Sequence, residues 1–228
     1  MRGYRNMLIA RVAGALLGAT AAALLCGCIG ARVSEDAPAG VSLAGNWRLD
    51  AAASDDPQKT LALLRSEATK IINRNLAIQQ QRIANGAAAP NEMPDDHGPR
   101  RDPLQHSPMA HVLREALARG DYLSVRQTPG EIVFDYGNSR RSFTPGAHSV
   151  VSSENGVADQ KSGWNGRGYL IVVKPQMGPE VTESYTLSAD GRQLTEKLHV
   201  ASYELPQFTL TRIYSAANLA PARQLPTD

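Results

Sequence analysis

Cysteine is nearly absent: the chain has two, Cys26 and Cys28, and none after residue 28. Disulfides therefore cannot staple the body, and its stability in an oxidising compartment has to come from packing. Aromatic residues make up only 5% of the chain, so a core has to be built mostly from Leu, Ile, Val and Ala, and the 42% apolar content is enough to build one. An excess of one charge is also lacking. The formal +2 reflects Arg2, Arg5 and Arg11; beyond them 21 basic residues face 22 acidic ones. A near-neutral body lacks the concentrated basic field that phosphate neutralisation needs, which excludes nucleic acid as the expected partner. No G-x-S-x-G, H-E-x-x-H, Walker A or dinucleotide glycine pattern is present, so no reaction is spelled out. The glycines of GWNGRG (163–168) read as a hairpin turn, because no helix follows them. His97, His106 and His111 fall in or beside a proline-rich stretch at poor helical spacing, so neither a metal site nor a cofactor is expected.

What the sequence does contain begins with an address. Residues 1–11 are basic, and residues 12–25, VAGALLGATAAALL, are uncharged and mostly apolar. This run is too short to span a bilayer comfortably and matches a secretory signal. Cys26 and Cys28 stand too close for good disulfide geometry and have no further metal ligands nearby. Leu25-Cys26-Gly27-Cys28 resembles the bacterial lipobox. The resemblance implies cleavage before Cys28, acylation of Cys28 and loss of Cys26 with the signal. Two or more acyl chains give stable anchoring. In lipoproteins an Asp after the cysteine marks inner-membrane retention; Ile29 stands there, so the resemblance implies an outer-membrane lipoprotein facing the periplasm.

The expected organisation is a signal peptide (1–27), an acylated tether (28–42), a first strand (43–54), a helical insertion with a proline-rich linker (55–120), an antiparallel β-barrel (121–216) and a tail (217–228). Asp55 or Asp56 can cap a helix with Pro57 at its first position. Apolar spacing then predicts a helix to about residue 85, and a second over 109–120. After Gly120 the pattern alternates. Nine strands are predicted, at 121–127, 131–136, 140–144, 147–153, 157–164, 168–174, 180–187, 193–201 and 207–214. They are separated by turn pairs such as Pro129-Gly130 and Asp190-Gly191. This rhythm predicts a mainly β fold, an antiparallel barrel of about 8–10 strands with a two-helix insertion after the first strand.

A two-residue turn at Asp190-Gly191 sets Tyr185 opposite Glu196 and Glu183 opposite Leu198. It thereby puts Glu183 and Glu196 on the apolar face, and Arg212 shares a face with Phe208, Leu210 and Tyr214. Charges there call for pairing. They read as a structural ion pair or wet barrel end, as polar handles in a ligand cavity, or as catalytic carboxylates; a glutamate pair alone is a weak basis for acid–base chemistry.

Gly45-Asn46-Trp47 resembles the G-x-W of lipocalins and related calycin barrels, and Arg212 in FTLTRIY matches the arginine that packs over that Trp and closes the barrel. The long two-helix segment after the first strand departs from that pattern. The opening GNWRL and the closing YTLSADG are also similar to those of uncharacterised bacterial envelope proteins. The resemblance implies a non-catalytic binding or accessory module, membrane-held through Cys28. A small apolar ligand would be lined or closed by Trp47, Tyr185 and Phe208, with Glu183, Glu196 and Arg212 as interior polar groups. The other expectation is a filled barrel whose helical insertion docks a protein partner.

Overall fold

The computed structural model describes residues 32–86, 102–153 and 156–218. Cys28, the signal segment, His97 and the tail beyond residue 218 lie outside the described residues.

Ten antiparallel strands form one sheet. β1 (Gly45–Leu49) is followed by helices α1 (Pro57–Ala84) and α2 (Pro108–Ala118). β2 (Tyr122–Gln127), β3 (Ile132–Asp135), β4 (Arg140–Phe143), β5 (His148–Ser153) and β6 (Gly156–Asn165) come next. β7 (Gly168–Pro175), β8 (Glu180–Leu187), β9 (Gln193–Ala201) and β10 (Phe208–Ala217) complete the chain. From β2 onward each strand pairs with its chain neighbour except across β4 and β5, and β1 pairs with both β2 and β10. A meander whose first strand meets its last curls into a barrel with a single seam, between β4 and β5. Just before β5, Gly146 N–H donates to Ser162 O (2.8 Å) and Ser162 N–H donates to Ala147 O (3.2 Å), which prolongs the β5–β6 pairing and leaves the seam itself unpaired.

The sequence makes these elements for local reasons. Asp56 caps α1, its carboxylate accepting from Gln58 N–H at 2.9 Å, with Pro57 at the first helical position. Ser107 and Pro108 do the same for α2. The link from β1 to α1 extends β10's free edge: Asp50 N–H donates to Ile213 O, Asp55 N–H to Thr211 O, and Asp55 Oδ2 accepts from Thr211 N–H.

The core lies in two parts. The barrel interior is filled by aromatic and aliphatic side chains, with Leu43, Phe134, Tyr169, Tyr185, Leu194 and Tyr214 fully buried. Phe134 stacks on Tyr185 at 4.1 Å, and Trp164 meets Tyr169 edge-on at 5.4 Å. The second part joins Leu61, Leu64 and Ala68 of α1 and Met109, Ala110 and Leu113 of α2 to Leu198, Val200 and Leu210 at the opposite end. The scarce aromatics are thus concentrated inside the barrel.

One expectation changes here. The stretch expected as a tether (28–42) is folded onto the barrel from Arg32. Ser34 exchanges two backbone hydrogen bonds with Trp164 (2.8 and 2.9 Å), and Val41 is buried, as is Leu43 at the start of the expected first strand. The small polar residues around Val41 concealed its part in the packing. The apolar face of α1 is only half covered: Leu61, Leu64 and Ala68 are buried, whereas Ile72, Leu76 and Ile78 are each more than 40% exposed. Among the described residues no helix is long and apolar enough to cross a membrane.

Candidate functional site

The charged residues on the apolar face meet in the barrel's interior. The β8–β9 register places Glu183 opposite Leu198 and Tyr185 opposite Glu196, as the Asp190-Gly191 hairpin predicts. Pairing β9 with β10 sets Glu196 opposite Arg212. Their main partner comes from elsewhere. Arg119, at the C-cap of α2, reaches inward: its Nη2 donates to Glu183 Oε1 at 2.7 Å and its Nη1 donates to Glu196 Oε1. Arg141 on β4 donates from Nη1 to Glu183 Oε2 at 2.6 Å. The hydroxyls of Tyr185 and Tyr214 donate to Glu183 Oε2 (3.1 Å) and Glu196 Oε2 (2.9 Å), and Tyr136 and Tyr185 share a hydroxyl contact at 2.8 Å.

This arrangement sets the charge states. Burial alone would raise the Glu183 carboxyl, but Arg119 and Arg141 outweigh it and bring it down to about 2. Burial would lower the Arg119 guanidinium, and Glu183 together with its neighbours holds it well above its ordinary value. Burial, then the nearby Glu196, pushes Tyr136 up; burial and the two carboxylates do the same for Tyr185, and burial and Glu196 for Tyr214. The phenols stay protonated donors. Three guanidiniums and two carboxylates leave one surplus positive charge. Arg212 shows where it is felt: Nη2 donates to Arg119 O (3.3 Å) and Gly120 O (3.1 Å), while buried Nη1 has no hydrogen-bond partner among the described residues, its nearest carboxylate oxygen being 3.9 Å away.

The cluster opens to solvent on one side. A cleft of about 590 Å³ lies between α2, the seam and the β7–β8 turn. Val112, Val173, Pro175 and Val181 supply apolar wall, and Arg119, Arg141 and Glu183 supply its charged floor. The seam makes this opening possible, since β4 and β5 do not pair and α2 roofs the gap.

The expected site residues divide. Glu183, Glu196, Arg212 and Tyr185 are brought together, and Glu183 also meets the cleft. Trp47 and Arg212 are not. Trp47 pairs with Ala216, four positions beyond Arg212, a separation of about 13 Å along β10. The Trp47 indole donates to Leu43 O at 3.1 Å, and the ring beside the Arg212 guanidinium is Tyr214, at 5.4 Å. The strand register, which short motifs do not encode, separates the two. Phe208 packs with the helices and does not line the cleft. Arg119, Arg141 and Tyr136 were missed. Alternation on β4 puts Arg141 on the face of buried Phe143 and could have flagged it; nothing local marks Arg119, which follows a helix end. Among the described residues no three potential metal ligands converge.

No protein-family model and no curated protein matches the chain. Among solved structures it is similar to the apo form of lipid binding protein 8 from Caenorhabditis elegans, with a TM-score of 0.44 and 10% identity, covering 78% of this chain and 100% of that one. It is also similar to the REP1-NXSQ fatty acid transporter (TM-score 0.38, 14% identity, 78% and 97% covered). Secretory abundant heat soluble protein 4 from Ramazzottius varieornatus gives a TM-score of 0.38 at 12% identity, with 77% and 94% covered.

Proposed function

We propose that the protein is a membrane-anchored periplasmic lipoprotein of the outer membrane, held through Cys28, whose barrel is a non-catalytic binding module for a small apolar ligand with an acidic end. The observation that carries this reading is the cleft: about 590 Å³ of space with apolar walls, floored by Arg119, Arg141 and Glu183. The volume lies within the usual range of small-molecule sites. The ligand is assigned to the barrel mouth, not the middle, because side chains fill the interior. The acidic end follows from Arg141, which stands partly exposed on the cleft floor and engages Glu183 through Nη1 alone, leaving its other N–H donors to face a bound anion. Catalysis by Glu183 is a poor fit: two guanidiniums and a phenol hold it as a carboxylate, which leaves it no proton to give at working pH.

Native mass spectrometry of protein purified from its own membranes is expected to show a retained small molecule. An apolar sulfonate dye is expected to bind the emptied protein, and Arg141→Gln to weaken that binding by about tenfold, the worth of one charge-assisted hydrogen bond. Val181→Trp, which fills the wall, should abolish it. No adduct together with dye binding indifferent to both substitutions overturns the reading. A second reading, a structural lipoprotein that docks a protein through its helical insertion, draws on the exposed Ile72, Leu76 and Ile78 of α1. Capture lost on Leu76→Glu with dye binding unchanged would favour it.

A further inference from the structure

The N-terminal segment carries an inference about orientation, which rests on the Cys28 anchor proposed above. From Arg32 on, the chain is built into one end of the barrel. Ser34 pairs with Trp164 through two hydrogen bonds, and Asn165 Nδ2 donates to Arg32 O at 3.4 Å. The approach is too close for a side chain at Gly163: a Cβ there would stand 2.7 Å from Ser34 O and 2.9 Å from Val33 Cβ. A Cβ added at Gly146 would likewise run into Glu35. Leu43 N–H then donates to Gln127 Oε1 at 2.9 Å, and Leu43 enters the core. The attachment point is therefore the β6–β7 turn, at the end of the barrel opposite the helices.

Only Ile29, Gly30 and Ala31 separate Cys28 from Arg32. Fully extended, the four steps from Cys28 to Arg32 span about 14 Å. The head-group layer outside the roughly 30 Å hydrocarbon core accounts for about 5–8 Å on each side. Along β7, from Gly168 at the attached end to Pro175 in the cleft wall, the strand climbs about 23 Å.

We infer that this barrel end, around Arg32, Asn165 and Arg167, is seated on the head-group surface of the membrane that holds Cys28, and that the ligand cleft and both helices face away from it. The interaction surface is the barrel base and its occupant is the protein's own lipid surface. The cleft then exchanges its ligand with the periplasm or with a partner arriving there, and not by opening onto the anchoring bilayer.

The full chain in its own membranes tests this, because the body has no cysteine of its own. Arg167→Cys at the base and Met177→Cys in the β7–β8 turn place one reporter at each end; both positions are exposed. With a fluorophore on each and nitroxide-bearing head groups added to the membrane, the base reporter is expected to be quenched several-fold more than the cleft-end reporter. A Gly/Ser insertion of roughly 20 residues after Ala31, with a reach of about 25 Å, is expected to bring the base signal down to that of the cleft end while the protein stays in the membrane fraction. Equal quenching in the uninserted chain, or stronger quenching at Met177→Cys, overturns the orientation with the anchor intact. The anchor is read separately. If Cys28→Ala stays in the membrane fraction, or if the parent chain shows a free thiol, the anchor reading fails and this inference fails with it.

Discussion

Glu183 is the residue on which the interior depends most. It takes Arg119 at 2.7 Å, Arg141 at 2.6 Å and the Tyr185 hydroxyl at 3.1 Å while almost fully buried. Removing one member of a buried ion pair leaves the others uncompensated, so Glu183→Gln is expected to cost about 3–5 kcal/mol. Equilibrium urea unfolding measures it. The pH dependence has a definite sign. The folded protein holds this carboxyl at about 2 against an ordinary 4.5, so on acidification the unfolded chain takes up the proton first. The stabilisation from Glu183 is complete above about pH 4.5, declines as pH falls and is gone once pH passes below about 2. Urea midpoints followed across the acid range should fall through that window in the parent. They should fall less steeply in Glu183→Gln, which starts lower at neutral pH. The same residue shows what alternation in a sequence can reveal: its inward position follows from the period of β8, whereas its partners Arg119 and Arg141 are 64 and 42 residues away in the chain.

Among the elements, α1 behaves as two helices in one. Its first half is held at Leu61, Leu64 and Ala68 against α2 and the ends of β9 and β10, while Ile72, Leu76 and Ile78 along its second half are exposed. Truncation should separate the two. Leu64→Ala removes a buried side chain and is expected to cost about 2–5 kcal/mol, whereas Leu76→Ala should change stability by no more than about 0.5 kcal/mol. Thermal melts of the two variants against the parent read the difference. Periodicity delimits this helix to within a residue, because capping and spacing are local. It is silent on which stretch of the apolar face is covered, since that depends on where β9 and β10 end. The segment before β1 shows the converse: its composition suggests a tether, yet two buried aliphatics and a pair of backbone hydrogen bonds to Trp164 are enough to order it.

For the molecule as a whole, the seam decides most. Closure through β1 and β10 leaves β4 and β5 as the edges of the sheet. Amides on an unpaired edge open more readily than those in paired interior strands. Hydrogen exchange is expected to be slowest in β8, β9 and β10 and fastest on β4 and β5. Uniform protection across the sheet would mean the seam is closed in solution, and the cleft with it. A ligand in the cleft should slow exchange at Ser139, Arg141 and Ser152, which border it on either side of the seam.

The succession of strands along the chain, the two caps, the hairpin that faces Glu183 and Glu196 inward and the placement of the helices after the first strand are all determined by the sequence alone, because each depends on neighbours a few residues apart. The partners of those glutamates, the separation of Trp47 from Arg212, the half-covered helix and the cleft at the seam were decided only by the tertiary structure. Each arises where distant strands set their register against one another, and register is a property of the closed sheet that no short stretch of chain contains.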